Sequence, residues 1–97
     1  MGLEPSSECV WVTGASSGIG YALCRRLIDK GWTVAGTARD VQRLESTRQK
    51  LGDAFHSFPA DITSRQNLFD VVDNIERKVG PISLAILNAG IYHSIKN

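Results

Sequence analysis

The chain has little cysteine, no long apolar run and no excess of charge of one sign, and each shortage closes off a class of function. Two cysteines, Cys9 and Cys24, give neither a disulfide framework nor metal-ligand spacing. Reduced thiols in a cytoplasmic protein, with no bound metal, are the simplest expectation. No stretch is long and apolar enough to span a bilayer, and the start lacks the basic segment and apolar core of a secretory signal. Eleven Lys and Arg are scattered among ten Asp and Glu, for a net charge of +1. That is not the basic stripe that nucleic acid or an anionic membrane surface needs. Internal repeats and low-complexity tracts are missing as well. What remains is the composition of an ordinary globular protein, over 97 residues that support one small domain.

Strand and helix patterns alternate from end to end. The first strand spans Cys9 to Thr13. A helix then starts near Gly18 or Ile19 and runs to about Lys30, with Ile19, Ala22, Leu23 and Leu27 on one face. A second strand covers Thr33 to Thr37, a helix covers Val41 to Leu51, and a third strand covers Ala54 to Phe58. The next helix carries a continuous stripe of Leu68, Val71, Val72, Ile75 and Val79, with Thr63 and Gln66 as its expected capping box. The fourth strand, Leu84 to Leu87, reads as buried on both faces of a parallel sheet. The order β-α-β-α-β-α-β with short connections predicts an α/β fold, a Rossmann-type doubly wound parallel sheet with strand order 3-2-1-4.

The most informative segment joins the first strand to the first helix: Thr13-Gly14-Ala15-Ser16-Ser17-Gly18-Ile19-Gly20. A strand, a glycine turn and a helix N-terminus together make a pyrophosphate cradle. Gly14 permits a tight turn, Gly18 lets backbone approach a phosphate, and Gly20 lets the helix pack closely on the sheet. Backbone N–H groups near Ser17, Gly18 and Ile19 are positioned to face the anion, and the hydroxyls of Ser16 and Ser17 are further donors.

The spacing G-x-x-x-G-x-G behind a threonine resembles the short-chain dehydrogenase/reductase family. The resemblance covers nearly the whole chain but only the N-terminal, cofactor-binding part of the family fold. It implies a dinucleotide partner and further roles for particular residues. In NAD-preferring members an acid at the tip of the second strand receives the ribose hydroxyls. Here Ala38 stands there, followed by Arg39, whose guanidinium suits the 2′-phosphate of NADP. Asp40 complicates this, because it could draw Arg39 away or contact ribose itself. Ser17 also stands where many NADP-binding members carry a basic residue. The balance favours NADP(H), with NAD(H) as the alternative. Asp61 is placed to accept from the adenine amino group and Ile62 to pack on the ring, although Asp61 also reads as an acid near a helix start. Asn88-Ala89-Gly90 resembles the family's N-N-A-G motif with Leu87 in place of the first Asn. There Asn88 would tie strands together, while Ala89 and Gly90 leave room for ribose.

Hydride transfer in this family uses a Ser after the fifth strand and a Tyr-x-x-x-Lys pair on the following helix. Tyr92 and Lys96 have that spacing, but they follow Asn88-Ala89-Gly90 at once with no strand between, so they are expected to be a coincidence. Ser94 fails for the same reason, and His56 and His93 lack partners in the sequence. No catalytic residue is therefore assigned. Residues 1–97 are expected to form a partial, truncated NAD(P)-binding domain of a carbonyl/alcohol oxidoreductase whose small-molecule substrate is not readable. A free-standing NADP(H)-binding module without catalysis is the alternative. Self-association through an exposed fourth strand is expected in either case.

Overall fold

The computed structural model describes residues 9–87. Seven elements follow in the expected order: β1 (Cys9–Thr13), α1 (Gly18–Asp29), β2 (Thr33–Thr37), α2 (Val41–Leu51), β3 (Phe55–Ser57), α3 (Arg65–Lys78) and β4 (Ile82–Leu87). The four strands are all parallel and lie in the order β3-β2-β1-β4. The predicted topology is therefore the observed one.

The period of two along each strand sorts side chains into two cores, one per face. On one face Val10, Val12 and Val34 pack with Ala15, Cys24, Leu44 and Phe55 beneath α1 and α2. On the other, Cys9, Trp11 and Ala35 pack against Val71 and Ile75 of α3. Gly36, in β2, marks the tightest spot of the first core. A Cβ added there would overlap the edge of the Phe55 ring and lie 2.8 Å from the Ala15 Cβ. On the second face Trp11 Nε1–H donates to Thr37 Oγ1 at 3.0 Å, so the buried indole is satisfied and holds Thr37 at the sheet's end.

Four details differ from expectation. α1 buries Gly20 and Cys24, with Leu23, Leu27 and Ile28 alongside, while Ala22 is exposed and Ile19 is 77% exposed. A stripe at 20, 23–24 and 27 has the same helical period as the expected one, and it centres on a glycine that lets the helix approach the sheet. β3 is shorter than expected, although ladder bonds continue on both sides, Val34 N–H to the Ala54 carbonyl and Phe58 N–H to the Gly36 carbonyl, each 2.9 Å. α3 is capped by Ser64, whose hydroxyl accepts from Asn67 N–H. Thr63 instead bonds to Asp61, and Gln66 bonds to Asp70. Finally, β4 starts at Ile82 and is not buried on both faces. It ends the sheet among the described residues, with Ile86 on one core and Ile82 on the other, and Leu84 left 52% exposed.

Candidate functional site

All four strands point the same way, so their C-terminal ends share one edge, the edge where parallel α/β sheets bind ligands. β1 leaves that edge through Gly14, whose φ of +67° is a conformation that a side chain disfavours. Ala15 N–H donates to the Thr37 carbonyl at 3.2 Å and fastens the turn to β2. Ser17 then closes the turn on itself. Its N–H and its hydroxyl both donate to the Gly14 carbonyl, at 3.3 and 3.2 Å. The Ser17 donors thus shape the turn.

α1 begins at Gly18. The N–H groups of Gly18, Ile19 and Gly20 belong to its first turn, where a helix leaves donors without intrahelical acceptors and the macrodipole is positive. A Cβ added to Gly18 would meet nothing within 4 Å, and its φ is not in the left-handed region. The described chain thus gives no steric reason for glycine there, and the space ahead of the helix is open. Gly20, by contrast, is buried against the sheet.

Beside the turn lies a cleft of about 190 Å³. β1 contributes Thr13 and, just after it, Gly14. The end of β2 contributes Thr37, Ala38 and Arg39, and the segment after β3 contributes Ala60, Asp61, Ile62 and Thr63. Ala60 N–H donates to the Ala38 carbonyl at 3.1 Å and holds the last two segments together. Ala38, Ala60 and Ile62 give the cleft an apolar interior, with Arg39 and Asp61 as its charged groups. Asp61 Oδ1 accepts from Thr63 Oγ1–H at 2.7 Å and from Thr63 N–H at 3.1 Å. These bonds hold the carboxyl below the usual aspartate range, and the nearby charge of Arg39 adds to the effect. Asp40 is engaged elsewhere: as the N-cap of α2, it accepts from Arg43 N–H at 3.0 Å. Arg39 is exposed and forms no ion pair among the described residues.

The fold therefore gathers Arg39, Asp61 and Ile62 in one cleft, next to a turn built from Gly14, Ser16, Ser17, Gly18, Ile19 and Gly20. Asn88, Ala89 and Gly90 lie outside the described residues, as do Tyr92, His93, Ser94 and Lys96. His56 stands apart from the cleft, in an open groove with Asn74 and Lys78. Sequence reasoning missed Thr37 and Thr63. Thr37 gave no sequence signal, since its place opposite Thr13 appears only in the strand register; for Thr63 the available signal was the spacing Asp61-Ile62-Thr63, which suits a side-chain-to-backbone turn. Among the described residues, no three His, Cys, Asp or Glu cluster as metal ligands, and no helix is long and apolar enough to cross a membrane.

Comparison with known proteins agrees with this geometry. The chain is 36% identical to the serine 3-dehydrogenase of Agrobacterium fabrum over 85 residues, which cover 88% of the chain and 34% of that enzyme. Its fold superposes on an actinorhodin polyketide ketoreductase solved with NADPH, with a TM-score of 0.83 and 32% identity, covering 90% of the chain and 34% of that structure. A 3-ketoacyl-(acyl-carrier-protein) reductase from Brucella melitensis, solved with NADH, gives 0.78 and 26%, covering 84% and 34%. The chain spans about a third of the length of each of these three proteins. Residues 8–97 also match the family described as short chain dehydrogenase, and the chain belongs to that family.

Proposed function

We propose that residues 1–97 are the cofactor-binding portion of an NADP(H)-dependent short-chain dehydrogenase/reductase that interconverts a small carbonyl compound and its alcohol. The observation that carries this reading is Gly18. It heads a helix at the C-terminal edge of a parallel sheet, with open space where a side chain would project. Pyrophosphate oxygens fit there, facing the N–H groups of Gly18, Ile19 and Gly20, while Gly14 and Ser17 fix the turn and Ser16 offers a further hydroxyl. The helix dipole adds about 0.3–1 kcal/mol of attraction for the anion. Ala38, Ala60 and Ile62 suit the faces of an adenine ring, and Asp61, ionised at neutral pH, suits its amino group. By the family resemblance, Asn88, Ala89 and Gly90 are assigned to the ribose.

Arg39 carries the preference for NADP(H). With Asp40 held in the α2 cap, its guanidinium is the group on this side of the cleft suited to a 2′-phosphate. The ketoreductase solved with NADPH supports this choice, while the Brucella melitensis reductase solved with NADH keeps NAD(H) as the second reading. When bound, the dinucleotide gives or takes the hydride; these residues bind and orient it. No residue of 1–97 is assigned to the Ser and Tyr-x-x-x-Lys of the family's reaction. Cys9 and Cys24 are free and buried, and burial pushes the Cys24 thiol up to about 12. Unreactive thiols of this kind suit a reducing, cytoplasmic setting.

Titrating NADPH and NADH while following nicotinamide fluorescence tests the assignment. NADPH is expected to bind more than about tenfold tighter, because charge-assisted bonds to a phosphate are worth about 1.5–3 kcal/mol each. Arg39→Ala should remove most of that difference and leave NADH unchanged. Equal affinities in the parent chain would overturn the NADP assignment, and no binding of either nucleotide would overturn the cofactor reading.

A further inference from the structure

The buried hydrogen bond between Trp11 and Thr37 satisfies one partner fully and the other by half. An indole N–H only donates, and that of Trp11 has its acceptor, Thr37 Oγ1, at 3.0 Å. A hydroxyl both accepts and donates. With the indole N–H on one of its lone pairs, the Thr37 hydroxyl turns its own hydrogen away from Trp11. Among the described residues no acceptor takes that hydrogen. Thr37 is 1% exposed, so bulk water does not take it either. A buried donor left unused costs free energy, and native structures rarely keep one without a partner. Behind Thr37 lies the core that Trp11 forms with Ala35, Val71 and Ile75, whose side chains offer no acceptor. The Thr37 carbonyl is already engaged by Ala15 N–H, the bond that fastens the glycine turn. Thr37 also stands at the C-terminal end of β2, where it lines the cleft with Ala38, Asp61 and Ile62. The cleft is therefore the side from which the missing acceptor comes.

We propose that Trp11 and Thr37 form a donor relay ending in the cleft, in which the Thr37 hydroxyl donates to a ring nitrogen or ribose oxygen of the bound dinucleotide's adenosine and Trp11 is the positioning residue. Hydrogen bonds in a chain polarise one another, so accepting from the indole makes Thr37 the stronger donor. The relay rests on the cofactor reading above. It acts on the adenosine that NADPH and NADH share, whereas Arg39 acts on the 2′-phosphate that separates them.

The test titrates NADPH and then NADH into the full chain and follows its two indole N–H signals by NMR, those of Trp11 and Trp32, assigned with Trp11→Phe. The Trp11 signal is expected to move downfield with either nucleotide as the relay tightens, while the Trp32 signal stays. Thr37→Val keeps the side chain's shape without the hydroxyl. It should weaken both nucleotides about two- to tenfold, the worth of one neutral hydrogen bond. Thr37→Ser keeps the hydroxyl and should restore the parent affinity. Because Thr37→Val leaves the buried indole unpaired, the double variant Trp11→Phe/Thr37→Val removes both polar partners together and should show the same loss of affinity. A merely structural Thr37 is replaced by valine without effect on binding, so parent affinity in either Val variant overturns the relay. A serine variant as weak as the valine one does the same. So does a loss confined to NADPH, which would put the contact at the 2′-phosphate. The parent chain alone also decides the matter. A Trp11 signal that stays fixed while the amides of Gly18, Ile19 and Ile62 report saturation overturns the relay and leaves the cofactor reading standing. Amides that do not respond to either nucleotide overturn the cofactor reading, and the relay with it.

Discussion

Gly18 and Gly36 are the same residue type in opposite situations. At Gly36 an added Cβ meets the buried ring of Phe55 and the Cβ of Ala15. At Gly18 it meets nothing within 4 Å. Gly36→Ala is therefore expected to destabilise the fold by about 1–3 kcal/mol through overpacking. In a domain of this size that lowers the melting temperature by at least about 4 °C. Gly18→Ala should leave the melting temperature level or slightly raised, since alanine is the better helix residue. It should weaken NADPH binding, because its methyl group enters the space proposed for the pyrophosphate. Thermal melts and nucleotide titrations on both variants check the pair. Loss of stability at Gly18 with unchanged binding would contradict the proposed role. The role proposed for Gly18 came from the sequence, because its spacing from Gly14 and Gly20 has a mechanism. Gly36 was not legible, because Thr-Val-Ala-Gly-Thr reads simply as a strand and its constraint comes from Phe55, nineteen positions away.

At the scale of elements, the start of α3 couples helix capping to the cleft. Asp61 accepts two bonds from Thr63, and the Asp61 carbonyl accepts from Asn67 Nδ2–H at 3.1 Å inside the helix. The carboxylate therefore helps set the angle at which the chain enters α3. Its pKa is lowered on folding, so the unfolded state binds the proton more readily. The stabilisation is fully present above the unfolded value of about 3.9 and is lost as pH falls through the lower folded value. Asp61→Asn removes that dependence. The gap in melting temperature between parent and variant should thus narrow as the pH is taken from 6 towards 2. The lowered carboxyl of Glu45 is common to both proteins and cancels. A gap that stays constant or widens towards pH 2 would show that the Thr63 bonds do not stabilise the folded state. Thr63-Ser64-Arg65-Gln66-Asn67 offers two overlapping caps, Thr63 with Gln66 and Ser64 with Asn67. Asp61 decides between them by capturing the Thr63 hydroxyl. Local pattern could place a helix here, but it could not rank two hydroxyls that compete for one role.

At the scale of the molecule, the sheet is built from its centre outward, and β4 is where the packing runs thin. Leu-Ala-Ile-Leu has the composition of a strand covered on both faces, yet Ala85 is exposed and Leu84 is half exposed. Burial depends on what flanks a strand, which its own residues do not reveal, and β4 is flanked on one side by β1. An apolar strand at a sheet end favours pairing with another chain. Residues 1–97 expressed alone are therefore expected to self-associate, with the weight-average mass in sedimentation velocity rising above 10.6 kDa as concentration increases. Leu84→Lys places a charge in the middle of that strand and should shift the distribution towards monomer. Because Leu84 is already half exposed, the substitution should change stability by no more than about 0.5 kcal/mol. The two measurements must be read together. A monomer gained with an unchanged melting temperature assigns the association to β4. A monomer gained with a collapsed melting temperature would mean that Leu84 belongs to the core. A parent chain that stays monomeric at every concentration would show that this edge does not drive association.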